Sequence, residues 1–230
     1  MRNYFFLDGK SSADFGTYLA SATMFDAPER DVSSVEVPGR NGNLIYDNGR
    51  FKNFGASVSC YIPKDMKTYV AALRNWLLAL PGYVRYEDTM RPEEYRILRY
   101  TGGFELGESD RVGASVKLSF DAKPQRWLKT GERLVSVMSG ASLYNPTRFD
   151  ALPLIVCKGN GSITLNGTTI TISGNTGLIY IDCDLQDAYL GSVNKNSKIT
   201  PNFPRLSTGN NVVTYAGVTE VQIAPRWWTI

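Results

Sequence analysis

None of the 230 residues is a histidine, which removes Ser-His-Asp and Cys-His catalysis, His-ligated zinc and the usual proton shuttle near neutral pH. Chemistry would have to rest on carboxylates, thiols, arginines and aromatic rings. Asp182 and Asp184 lie two apart on one face of an expected strand, with Asp187 close behind; such spacing could hold calcium or supply an acid and a base. No aromatic platform for a substrate flanks them, so they read as a solvated strand end. Cys60, Cys157 and Cys183 are far apart and odd in number, which rules out a complete disulfide framework and any metal-knuckle spacing. They read as reduced strand residues. Gly159-Asn160-Gly161 follows a strand as a phosphate loop does, but a hairpin and not a helix comes next, so no helix N-terminus awaits an anion. The Asn-Gly-Ser/Thr triplets at Asn160 and Asn166 read as turns and not as glycan acceptors. No catalytic residue, metal ligand or cofactor is assigned.

Arg85, Arg91, Arg96 and Arg99 alternate with Tyr83, Tyr86, Tyr95 and Tyr100, a mixture able to stack bases. Glu87, Asp88, Glu93 and Glu94 neutralise the same stretch, so a protein–protein surface fits it better, Tyr and Arg being the residues enriched at interface hot spots. The net charge of +3 is spread in both signs without a basic block, which argues against direct nucleic-acid binding. The aromatic cluster Tyr4 to Leu7 is cut short by Asp8 and makes no signal-peptide core. Tyr69 to Leu80, the longest apolar stretch, contains Arg74 and Asn75 and falls short of a membrane span. Synthesis and retention in the cytoplasm are expected, unless another component carries the chain out.

The elements that position these residues are mostly strands. Arg2 to Leu7, Thr17 to Met24, Asp31 to Val37, Asn43 to Tyr46 and Ala56 to Ile62 are short runs separated by Gly, Pro, Asn and Asp. From Lys64 to Leu80, apolar residues at Met66, Tyr69, Val70, Leu73, Leu77 and Leu80 keep the spacing of a core-facing helix, started by Pro63 and ended by Pro81-Gly82. Strands resume at Tyr83 to Glu87, Tyr95 to Phe104 and Ala114 to Ala122. Further on, Ser162 to Ile172 alternates around Asn166-Gly167, the strongest short hairpin signal. Leu178 to Asp182, Asn211 to Tyr215 and Val218 to Ala224 follow, with turns at Gly174-Asn175, Gly209-Asn210 and Ala216-Gly217, the pattern of an antiparallel sandwich.

A strand running into Pro, Arg and Trp occurs twice, at Pro124-Gln125-Arg126-Trp127 and Pro225-Arg226-Trp227-Trp228. Proline cannot donate to a central ladder, so each copy reads as a last strand being closed off. Residues 1–130 hold 18 of the 25 Lys and Arg and 16 of the 22 Asp and Glu. Charge density therefore roughly halves beyond the first copy. Two β-rich domains are expected, 1–132 with one helix and 133–230 without, the boundary falling near Lys129 to Ser139. Trp227 and Trp228 are adjacent and point to opposite strand faces, one to the core and one free to stack on a ligand or partner.

Val35 to Leu44 is a strand entering a Gly-rich loop, Val37-Pro38-Gly39-Arg40-Asn41-Gly42-Asn43. With the helix and Lys123 to Trp127, it resembles the N-terminal domain of the distal tail proteins of long-tailed, non-contractile bacteriophages. Leu152 to Val156, the Asn166-Gly167 hairpin, Ile181 to Asp184, Phe203-Pro204, Gly209 to Asn211 and Pro225 to Trp228 follow in the order of that family's C-terminal galectin-like sandwich. The resemblance implies a mainly β fold, with an N-terminal sandwich or split-barrel belt domain carrying one helix and a galectin-like second domain. It implies a non-enzymatic virion protein at the tail tip, a homohexameric ring joining the tail tube and tape-measure proteins to a tail-associated hub or lysin and to receptor-binding or fibre proteins. Pro38, Gly39, Arg40, Asn41, Gly42 and Arg85 would form the ring interface, the glycines letting backbones approach and Arg40 meeting a neighbour's carboxylate or carbonyls. Trp227 and Trp228 are the candidate interaction residues of the second domain. The competing expectation is a carbohydrate-binding module acting through that domain, although the His on which the galectin sugar site relies is missing.

Overall fold

A computed structural model describes residues 2–21, 27–63, 66–109 and 113–230. The chain forms two compact units, Met1–Arg126 with Ile230, and Trp127–Thr229. Their division falls at 126/127, ahead of the expected 132/133. Within the second unit the Leu128 N–H donates to the Trp227 carbonyl (2.9 Å) and the Arg226 N–H to the Gly131 carbonyl (2.7 Å). Residues 127–131 are thus tied to the chain's last residues.

The first unit contains β1 (Phe5–Leu7), β2 (Lys10–Ser11), β3 (Tyr18–Leu19), β4 (Arg30–Val35), β5 (Leu44–Phe51), β6 (Phe54–Pro63), α1 (Met66–Leu78), β7 (Tyr83–Asp88), β8 (Glu94–Ser109) and β9 (Gly113–Leu128). Its main sheet has the order β2-β1-β7-β8-β9-β6-β3. β6 and β9 show how sequence sets its faces. Ala56, Val58, Cys60 and Ile62 alternate with polar residues and pair with Phe120, Leu118, Val116 and Ala114 across an antiparallel ladder, so one face is wholly apolar and buried. Leu73 and Leu77 of α1 are buried in that core. Each contributes about 1.5–3 kcal/mol. Trp76, outside the expected stripe, stacks on Phe15 at 4.5 Å. Of the expected elements, Ala22 to Met24 and the helix start at Lys64 and Asp65 lie outside the described residues.

Pro124 sits inside β9 and does not close it. The β6 ladder stops at Phe54 opposite Ala122, so the missing N–H of Pro124 falls where no β6 partner remains. β4 and β5 form a separate two-stranded ribbon.

The second unit contains β10 (Val135–Ser136), β11 (Ser142–Asn145), β12 (Leu154–Leu165), β13 (Thr168–Ile172), β14 (Leu178–Asp182), β15 (Asp187–Leu190), β16 (Val193–Asn194) and β17 (Gly209–Ala224). The order is β10-β17-β12-β14-β15-β16, with β11 also on β17 and β13 also on β12. Asn166 and Gly167 both take positive φ in the β12–β13 turn. Ala216-Gly217 is not a hairpin turn: β17 is one continuous strand that bends there against β12, where the register shifts between Gly159 and Ser162. The backbones nearly touch, and a Cβ on Gly161 would lie 2.0 Å from the Ala216 carbonyl oxygen. Two long bent strands therefore carry the sheet around a core of Ile155, Ile163, Leu165, Ile170, Ile181, Val213 and Ile223. Bending replaces the expected turn because glycine at these positions lets two strands cross in close contact.

Candidate functional site

Pro38, Gly39, Arg40, Asn41 and Gly42 lie together in the loop between β4 and β5. The Arg40 N–H donates to the Val37 carbonyl (3.1 Å), and Gly39 and Gly42 take φ of +81° and +79°. Nothing lies within 4 Å of a Cβ at either glycine, so within the chain both serve the turn and not a close approach. The ribbon beneath carries Val35, Leu44 and Tyr46 on one face and Val32 and Ile45 on the other, all exposed, Ile45 at 71% and Tyr46 at 69%. Surface ion pairs Arg30–Asp47 (3.0 Å) and Arg50–Asp31 (2.7 Å) brace it. A two-stranded ribbon with bare apolar faces is marginal in water by itself.

Arg85 is not brought to this loop. It stands on β7, paired with Glu87 and lying 3.8 Å over the Tyr95 ring. Its charge is engaged within its own sheet, which sequence alone could not reveal because Glu87 is one of four nearby acids.

Trp227 is 6% exposed and belongs to the core of the second unit. Trp228 is half-buried; its ring stacks on Phe149 at 4.4 Å and its indole N–H donates to the Asp150 carbonyl (2.9 Å). Trp227 is thus a core residue, and Trp228 is a packed wall and not an open platform.

Asp182 corrects the reading of a solvated strand end. Its side chain is 3% exposed. Both carboxylate oxygens accept from Arg226, each at 2.7 Å, and Oδ1 also accepts from the Asp184 and Leu185 N–H groups at 3.0 and 3.1 Å. Burial by itself would raise the Asp182 pKa, but the Arg226 bonds and these N–H groups outweigh it and hold the carboxyl below its ordinary value. Arg226 sits at φ +59°, a left-handed conformation costly for a side-chain-bearing residue. Its partner lies 44 residues upstream, beyond the reach of any local spacing rule. No group of three or more His, Cys, Asp or Glu among the described residues could hold a metal. Cys60, Cys157 and Cys183 are buried and unpaired, each thiol pushed up to about 12 by burial. They are poor nucleophiles. No helix among the described residues is long and apolar enough to cross a membrane.

The fold is therefore mainly β, with one packed helix and no assembled catalytic constellation among the described residues. No family model and no curated protein matches the chain. Among solved structures, the crystal structure of the Dit protein of phage SPP1 matches it with a TM-score of 0.78 over 100% of both chains at 14% identity. That protein is described as a paradigm of the hub adsorption apparatus in phages infecting Gram-positive bacteria. The chain has the fold anticipated from its resemblance to distal tail proteins.

Proposed function

We propose that the chain is a structural virion protein that forms a ring, six-fold by the distal tail resemblance, at the end of a long non-contractile phage tail. The carrying observation is the match to the SPP1 Dit fold over the full length of both chains. The β4–β5 ribbon supports it: its apolar faces have no partner within the chain among the described residues, and a second copy is the natural cover. The Pro38 to Gly42 loop would lie in that contact, with Arg40, whose side chain makes no ion pair or hydrogen bond among the described residues, reaching a neighbour's carboxylate or carbonyls. The ring would join the tail tube and tape-measure proteins to the hub or lysin and to receptor-binding or fibre proteins, the second unit serving as a galectin-like attachment domain. The missing histidine, the buried thiols and the neutralised Asp182 favour a role without catalysis. Negative-stain imaging and native mass spectrometry, with tail-tip partners present, should show rings with a central channel. Arg40→Ala should assemble poorly while both units fold; normal rings from that variant would remove the loop from the interface.

The second reading, saccharide recognition through the second unit, loses Trp227 and Trp228 as its platform. A different surface of that unit keeps it open.

A further inference from the structure

One face of the second unit's sheet holds a groove of about 420 Å³ lined by Ser136, Met138, Val156, Tyr180, Glu220 and Gln222, among others, within the size range of ligand pockets. The ladder explains why these residues converge. Ser136 pairs with Gln222, Gln222 with Val156, Val156 with Tyr180, and Tyr180 with Tyr189, so one row crosses five strands on the same face. A neighbouring row brings Leu178 beside Lys158, whose ammonium pairs with Glu220 at 3.3 Å.

Three features separate this groove from ordinary surface. Tyr180 is held as a rigid plate by stacking on Tyr189, with ring centroids 5.6 Å apart and an interplanar angle of 13°. The Ser136 hydroxyl, the Tyr180 hydroxyl and the Gln222 amide have no side-chain hydrogen-bond partner among the described residues. Glu220 takes φ +54° where the β12–β17 register shifts, so a bulge and local strain aim its carboxylate at the rim.

The geometry points to a binding site for a neutral oligosaccharide in this groove. A sugar offers hydroxyls to the amide, carboxylate and hydroxyl groups, and a C–H face to a tyrosine ring. The Lys158–Glu220 pair leaves the rim without net charge, which disfavours a polyanion such as a phosphate-linked wall polymer. The groove begins at the edge strand β10 and runs across the sheet face, where it offers side-chain hydroxyl and amide groups and not the strand-parallel backbone ladder that an extended peptide joins. The inference deepens the saccharide reading above and is independent of ring formation.

The test uses the full chain and saturation-transfer NMR with cellotriose and chitotriose, measuring transfer to ring C–H protons at ligand concentrations of about 1 mM. At least one trisaccharide should bind. The double variant Glu220→Ala/Gln222→Ala, with unchanged melting, should weaken it about tenfold or more, while Tyr180→Phe, which keeps the ring and removes one hydroxyl partner, should weaken it less. Absence of transfer from both sugars overturns the site and the saccharide reading together. Binding that survives the double variant but is lost in Trp228→Ala overturns the groove alone and leaves the saccharide reading standing.

Discussion

Arg226→Ala removes the only side-chain cation among the described residues that is bonded to the nearly inaccessible carboxylate of Asp182. Wild-type Asp182 accepts two charge-assisted bonds of 2.7 Å from Arg226 and two backbone N–H bonds. Breaking a fully buried pair costs about 3–5 kcal/mol. Because Arg226 is 26% exposed and two N–H groups still hold the carboxylate, the lower end, about 3 kcal/mol, is expected. The left-handed φ of residue 226 is present in both proteins, so the difference isolates the side chain. For a unit of this size each kcal/mol moves the midpoint by roughly 4–8 °C, giving a fall of roughly 12–24 °C. Three of the four tryptophans, Trp127, Trp227 and Trp228, lie in the affected unit, so thermal unfolding followed by tryptophan emission reports it. Acid supplies a second check. The folded pKa of Asp182 is depressed, so its contribution is complete above the unfolded value of about 3.9 and is lost as pH falls through the folded value. The gap between wild type and variant should narrow below pH of about 4. A loss under about 1 kcal/mol at neutral pH, or a gap that stays constant into acid, refutes the assignment of a stabilising buried pair.

Gly131→Ala places a Cβ 2.4 Å from the Trp227 backbone nitrogen; a loss of about 1–3 kcal/mol is expected in the same melting assay. Trp228→Ala forfeits the Phe149 stack and the bond to Asp150 and should cost about 2 kcal/mol, whereas Trp228→Phe should cost about 1; equal losses would show that the ring packing contributes little. Ile45→Ser, at an exposed ribbon position, should leave melting within about 0.5 kcal/mol of wild type yet reduce ring yield by native mass spectrometry, and undiminished rings would remove that ribbon face from the interface.

What the sequence disclosed follows from how local each determinant is. Helix α1 and the Asn166-Gly167 hairpin were legible because their signals, a 3.6-residue stripe and two residues tolerant of positive φ, lie within the element itself. Ala216-Gly217 was misread because the same glycine chemistry serves a turn or a strand crossing, and only contact with Gly161, more than fifty residues upstream, decides between them. The candidate site was less legible still. Arg40 could be placed in a loop, but the bare apolar faces of the ribbon emerge only when no other element packs on them. The groove around Gln222 left no local mark, since its residues come from four separate stretches aligned solely by the ladder.

The repeated Pro-Arg-Trp element shows how similar words acquire different meanings from their surroundings. Arg126 reaches Glu94 at 3.4 Å and the Ile230 carbonyl at 2.8 Å, all counted with the first unit, while Arg226 clamps Asp182 in the second. Each arginine thus bonds a carboxylate of the unit its strand completes. The residues just beyond the first copy belong to the second unit, where Leu128 and Gly131 bond to Trp227 and Arg226. Entry to and exit from that unit are therefore laid side by side by hydrogen bonds between the residues that follow the first copy and the second copy itself. Such pairing fixes both ends of a unit whose proposed work is to carry other components, and the Arg226 clamp on Asp182 anchors the end of β14, the strand that carries Tyr180.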